Sequence, residues 1–231
     1  MRELFAPLSA VSRRGHALLW GGLALLVLYL YPGNHAFFLA RFPVEGHFAD
    51  WAGAGWQHGA AFLLLFVVPV LGLLVSRRPL PGLALGDWRF GLKVTAAAMA
   101  GLVVPLWFTG GDPAFQAEYP LARAAGDSVG LFLLWELTYL VYYVAWEFFF
   151  RGLWQLGLEP DLGAMGALAL QASVSTVMHI GKPMGETAAA VAGGLLLGLL
   201  ALRTRSILYP LLIHWYLGAL TDAFCIVRGG P

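Results

Sequence analysis

The stretch YYVAWEFFFRGLWQ, residues 142–155, sets an acid, Glu147, and a base, Arg151, four residues apart in one of the most apolar parts of the chain. On a helix that spacing brings the two side chains onto one face. A helix facing lipid has no use for either, since an ionised carboxylate at a span centre costs ~2.5–3.5 kcal/mol on insertion scales. The pair therefore implies an interior, with neighbouring helices to receive the charges. Upstream, Glu136, Leu140 and Tyr143 continue the face of Glu147 at helical spacing.

The rest of the chain fits a membrane interior. Of 231 residues 59% are hydrophobic and 12% charged, with a mean hydropathy of +0.73, which marks a polytopic membrane protein rather than a soluble domain. A net charge of +1, with no basic run and no Gly-rich phosphate loop, argues against a nucleic-acid partner. Cys225 is the only cysteine, so neither an intrachain disulfide nor a cysteine-based zinc site is available. Hydropathy predicts seven spans, at about 16–31, 59–76, 91–109, 129–157, 162–180, 187–202 and 206–226, each near the ~20 residues a bilayer requires. The expected fold is all-α, a polytopic transmembrane helix bundle of about seven to eight spans forming a single membrane domain over 1–231, multi-pass in the cytoplasmic (inner) membrane.

Arg2, Arg13 and Arg14 precede the apolar run HALLWGGLALLVLYLY (16–31). No small-residue cleavage site follows, which predicts a retained first helix rather than a signal peptide. The aromatic and charged linker 32–58 is expected to lie along the membrane surface, closing an N-terminal region of spans and linker over 1–79. FTGGDPAFQAEYPLARAAGD (108–127) is expected to be a solvent loop. With seven alternating spans, Arg13/Arg14, Arg77/Arg78/Arg89 and Arg203/Arg205 fall on one side, which the positive-inside rule makes cytoplasmic. Gly194-x-x-x-Gly198 predicts close helix packing.

Two histidines, His179 and His214, lie in strongly apolar helical runs, whereas His16, His35, His47 and His58 sit at boundaries or in loops and are expected to be structural or incidental. Counting rise from the cytoplasmic ends puts Glu147 at ~16 Å, His214 at ~12 Å and His179 at ~26 Å. Tilt brings such groups together, and the three are expected to line one cavity.

These residues resemble a known family. Glu147-Phe-Phe-Phe-Arg151-Gly152, His179-Ile-Gly-Lys-Pro183, and His214 in a late apolar helix are similar, in order and spacing, to the CAAX-protease and bacteriocin-processing (CPBP) family of intramembrane glutamate-type endopeptidases, and LALGDWRFGL (83–92) is typical of such chains. The resemblance spans about residues 80–225, the expected catalytic core, and Trp-Glu-Phe-Phe-Phe-Arg-Gly is similar to the myxosortase-like subgroup. It implies a fold of about eight helices, no cofactor, and a substrate that is a membrane-associated protein or a C-terminal sorting segment, met in the lipid bilayer. In roles, it implies Glu147 as the base that activates water, His179 and His214 positioning that water or the oxyanion, and Arg151 orienting the carboxylate. The chain departs from the pattern at three positions: Trp146 stands at the first acid, Ser175 at a Phe, and Gly218 at an Asn. Thr221 or Asp222 is a candidate to replace that Asn, and Glu136 is expected to line the cavity or pair between helices.

Alternatives remain at the sequence level. Glu147, His179 and His214 also suit a zinc-dependent protease, as two His and one carboxylate. A non-catalytic member of the same fold, an immunity factor or scaffold, would keep Glu147 and Arg151 as a structural pair.

Overall fold

The computed structural model describes residues 10–229; Arg2 lies outside them. Helix α1 (Arg13–Leu30) begins at an N-cap, Ser12, whose hydroxyl accepts from the Gly15 N–H at 3.0 Å. A short α2 (His35–Arg41) follows, bent 49° from α1. Then come α3 (Ala49–Val75), α4 (Trp88–Thr109) and a short α5 (Pro113–Glu118). Helix α6 (Val129–Glu147) runs through a wider, π-helical segment, Phe148–Leu156, into α7 (Gly157–Val177). Helices α8 (Met184–Thr204) and α9 (Leu208–Gly229) complete the bundle. No strand occurs among the described residues.

By length and composition, five helices are long and apolar enough to cross a membrane, or six when α1 and α2 count as one bent span. The stretch Val129–Val177 counts once by this measure, yet it holds both expected segments, at about 129–157 and 162–180, because the chain reverses within it and brings Trp146 within 5.8 Å of His179, ring centroid to ring centroid. The two helices meet at Gly163, whose φ of 70° and ψ of 162° are open to glycine without strain.

The molecule is apolar outside and more polar within. Leu133, Leu137, Val104 and Leu196 are more than half exposed, while Glu136, Glu147, Arg151, Gln155, Gln171 and Asp222 are buried. This is the distribution that lipid favours and water does not. Helices α7 and α8 pack closely. A Cβ on Gly194 would sit 3.2 Å from the Ala172 Cα, and the Gln171 and Gln155 amides donate to the carbonyls of Gly194 and Gly198 at 2.8 and 2.7 Å. The Gly-x-x-x-Gly expectation is met, with side-chain amides added as polar glue.

The arginine-rich connections meet at one end. Asp87 caps α4 and pairs with Arg203 at 2.9 Å; the Phe90 N–H, followed by Arg203, holds its carboxyl below the usual range. Arg205 pairs with Glu159 at 2.6 Å, the Ile207 N–H donates to the Gly82 carbonyl at 2.9 Å, and the Ser12 N–H donates to Asp161 at 2.7 Å.

Two expectations about connections are corrected. The linker 32–58 does not stay on the surface, because residues from Ala49 already form α3 and carry His58 into the bundle, where it is 4% exposed. Small residues at Gly53, Ala54 and Ala61 let this helix approach α6 and its neighbours. The segment 108–127 is not a plain solvent loop either. It folds back over the bundle end, burying Tyr119, Ala122, Ala124 and Ala125, so its apolar content is used for packing.

Candidate active site

Glu147 ends the α-helical part of α6 and is fully buried. Its Oε1 accepts from Arg151 Nη1 at 3.1 Å and from His214 Nδ1–H at 2.6 Å, while Oε2 is buried without a partner. Arg151 is 2% exposed and lies in the wide π-helical segment one turn on. A π turn advances more residues per revolution than an α turn. A second wide segment in α3, Phe62–Val67, packs beside it, with Phe66 edge-on to Phe148 at 5.1 Å.

His179 follows α7 and is anchored through Nδ1–H to the Ser175 carbonyl at 2.7 Å. A carbonyl only accepts, so this bond fixes the proton on Nδ1 and leaves Nε2 of the neutral ring as an acceptor. The bond also gives Ser175 a role the sequence did not announce: its backbone, not its side chain, holds the histidine. His214 is arranged in the same way, with Nδ1 bound to Glu147 and Nε2 left for the cavity its ring lines. The two imidazoles are near enough to interact electrostatically.

Both histidines line a cavity of about 390 Å³, together with Arg151, Trp146, Tyr143 and Thr221. Glu147 lies behind this wall rather than on it. Position 146 provides the wall instead, with the Trp146 ring edge-on to His179 at 5.8 Å. The expected height difference of His179 is absorbed because the chain after Val177 turns back over the cavity, where the Thr187 hydroxyl donates to the His179 carbonyl at 2.8 Å.

The remaining candidates separate. Thr221 lines the cavity, its hydroxyl donating to the Leu217 carbonyl at 2.8 Å. Asp222 is buried away from it, accepting from Trp135 Nε1–H at 2.8 Å and interacting with the carboxyl of Glu136, which is 4% exposed. Neither fills the space at Gly218. A Cβ there would collide with the hydroxyl of Tyr143, so a phenol occupies the room an Asn side chain would need. His58, assigned an incidental role from its place at a span boundary, also lines the cavity, stacked on Tyr139 at 5.0 Å and 13°. Only the tertiary arrangement brings Tyr143 and His58 to the site. The period-four face through Tyr143 was the one sequence signal for either.

As a zinc centre the donor set does not fit. Glu147 lies behind the cavity wall with Oε1 committed to Arg151 and His214, so only the two histidines present donors to the cavity and the carboxylate that the expected set needs is not among them. No group of three His, Cys, Asp or Glu side chains among the described residues converges as metal ligands.

Residues 128–220 match the model of a family described as type II CAAX prenyl endopeptidase Rce1-like. That stretch begins at the Ser128 cap of α6 and contains Glu147, Arg151, His179, His214 and Gly218. No curated protein and no solved structure matches the chain.

Proposed function

We propose that the chain, whose residues 128–220 match the type II CAAX prenyl endopeptidase Rce1-like model, is an intramembrane endopeptidase in which His214 and His179 are the catalytic groups and Glu147 and Arg151 position them. The observation that carries this reading is the paired anchoring of the two imidazoles, each held through Nδ1 with its other nitrogen left to a shared cavity.

A water in the cavity donates one hydrogen to His214 Nε2 and the other to His179 Nε2, which aims its lone pair at a peptide carbonyl carbon. As the C–O bond forms, His214 takes the proton. The Glu147 carboxylate, across the 2.6 Å bond, stabilises the imidazolium and holds the tautomer, as the acid of a His–carboxylate pair does. General-base help of this kind contributes about 10²–10⁴-fold. Arg151 has its Nη1 on Glu147 and still lines the cavity, so its guanidinium faces the oxygen on which negative charge develops. The C–N bond then breaks, the proton passes from His214 to the leaving amine, and the products are a new carboxylate and a new amine. The substrate is a membrane-associated protein, and a C-terminal sorting segment of the myxosortase-like kind is the form that the 146–152 motif favours.

The test compares the termini of membrane proteins in cells carrying the unmodified chain with those carrying His214→Gln. Uncut precursors should accumulate with His214→Gln while the variant remains folded in the membrane. Identical termini in both would remove the reading. One observation favours a non-catalytic member instead: Trp146 replaces an acid on the cavity wall. That alternative predicts a protein bound by the chain and never shortened.

A further inference from the structure

We propose that the cavity is filled from the extracytoplasmic side, so that the substrates are exported membrane proteins whose scissile segment lies at or just beneath the outer face. The substrate half of this statement rests on the endopeptidase reading; the direction of access rests on geometry and charge.

Charge divides the two ends of the bundle. Arg13, Arg14, Arg77, Arg78, Arg203 and Arg205 stand at the end where Asp87, Glu159 and Asp161 are the acids that hold the connections together. The opposite end is closed by the Lys182–Glu118 pair at 2.5 Å, the His47–Asp127 contact at 2.5 Å, and Arg228 bound to the Trp107 carbonyl. There the acids Glu45, Asp50, Asp112, Glu118, Asp127 and Glu186 outnumber Arg41, Arg123, Lys182 and Arg228. Short basic connections stay in the cytoplasm and acids contribute little to orientation, so the arginine end is inside.

The cavity opens at the other end. Asp112, Phe115, Tyr119, Lys182, Gly185 and Glu186 form its rim, from the connection between α4 and α6, the connection between α7 and α8, and the first turn of α8. This rim is polar: the Tyr119 hydroxyl lies 2.8 Å from both Glu186 carboxyl oxygens, and the Lys182 ammonium stands 5.0 Å over the Tyr119 ring. Such groups belong at the water boundary of a bilayer, where a hydrated polypeptide arrives. Towards the arginine end the floor is sealed. Phe148, Phe149, Phe150, Trp154 and Leu158 are at most 1% exposed, and Gln155 closes on the Gly198 carbonyl. Water and peptide therefore reach His179 and His214 past the rim and not through the cytoplasmic end.

Single cysteines report the direction without needing a substrate. Ala114→Cys on the exposed rim segment, Ala190→Cys on the cavity wall and Ser76→Cys at the exposed arginine end are each made in the chain that keeps its buried Cys225. Spheroplasts are treated with a membrane-impermeant maleimide and compared with lysed cells and with the unmodified chain. Ala114→Cys and Ala190→Cys should label in spheroplasts to the extent reached after lysis, and Ser76→Cys only after lysis. The reverse pattern overturns the proposal even if membrane proteins are being cut. The expected pattern with no change of termini in His214→Gln cells upholds the direction of access and removes the protease reading. Where termini do change, the cut sites should map to extracytoplasmic segments; cuts in cytosolic segments overturn the proposal.

Discussion

At position 218 a side chain has no room, because a Cβ there would collide with the Tyr143 hydroxyl and approach its ring carbons at 3.0 Å. The loss of the expected Asn and the presence of Tyr143 are thus two halves of one packing solution. Gly218→Asn should destabilise the fold by ~1–3 kcal/mol, the usual cost of overpacking. Tyr143→Phe in the same chain should recover part of it, a coupling measurable from thermal midpoints in detergent as a double-mutant cycle. A fully additive cycle would mean the two residues do not compete for space. Glu147 invites a second cycle. Its partner Arg151 is 2% exposed, so Glu147→Gln leaves a buried guanidinium without its counter-charge, a situation that typically costs ~3–5 kcal/mol. Glu147→Gln combined with Arg151→Gln should be better folded than Glu147→Gln alone, by the monodisperse fraction on size exclusion, yet equally inactive. The Glu147–Arg151 pair was legible in the sequence as an interior feature. That Trp146 would take the cavity wall and leave Glu147 behind it was not, because neighbouring positions differ by about 100° around a helix and one-dimensional spacing does not fix the zero of that angle.

Between elements, α7 and α8 approach so closely that Gly198 has the Gln171 amide nitrogen at 2.5 Å and the Gln155 oxygen at 2.9 Å from where a Cβ would stand. Both amides are buried and donate to glycine carbonyls, so neither swings away freely. Gly198→Ala should lower the thermal midpoint, by an amount equivalent to ~1–3 kcal/mol, and an unchanged midpoint would show that α8 shifts at little cost. The motif announced this contact, since small residues four apart have few other uses in a span. Hydropathy found the apolar segments equally well, because it measures the property lipid selects. It marked the break between the fourth and fifth segments too, since two helices meet at Gly163, just past polar Glu159 and Asp161. It was less good at the entry to the second. It missed the first turns of α3, where alanine, glycine and tryptophan score near the threshold while packing His58 into the bundle.

For the whole molecule, the arginine clusters predicted to share a side do meet at one end, joined by Asp87, Glu159 and Asp161. That part of the topology was legible because each cluster is local. The cavity was not, since it is assembled from α3, α4, α6, α7, α8, α9 and two connections, with contributions as distant as His58 and Thr221. Its position has a mechanical consequence. In an intact helix every backbone carbonyl is already bonded and turned along the axis, with side chains around it. On the endopeptidase reading proposed above, a peptide bond reaches the two imidazoles inside this cavity of about 390 Å³ on a segment that has uncoiled beforehand, so substrates are sorted by how readily a helix frays. In a cleaved reporter, replacing a glycine next to the cut with leucine should slow turnover, and restoring a helix breaker one residue away should return it. Equal rates for all three would mean that the cavity widens to take an intact turn.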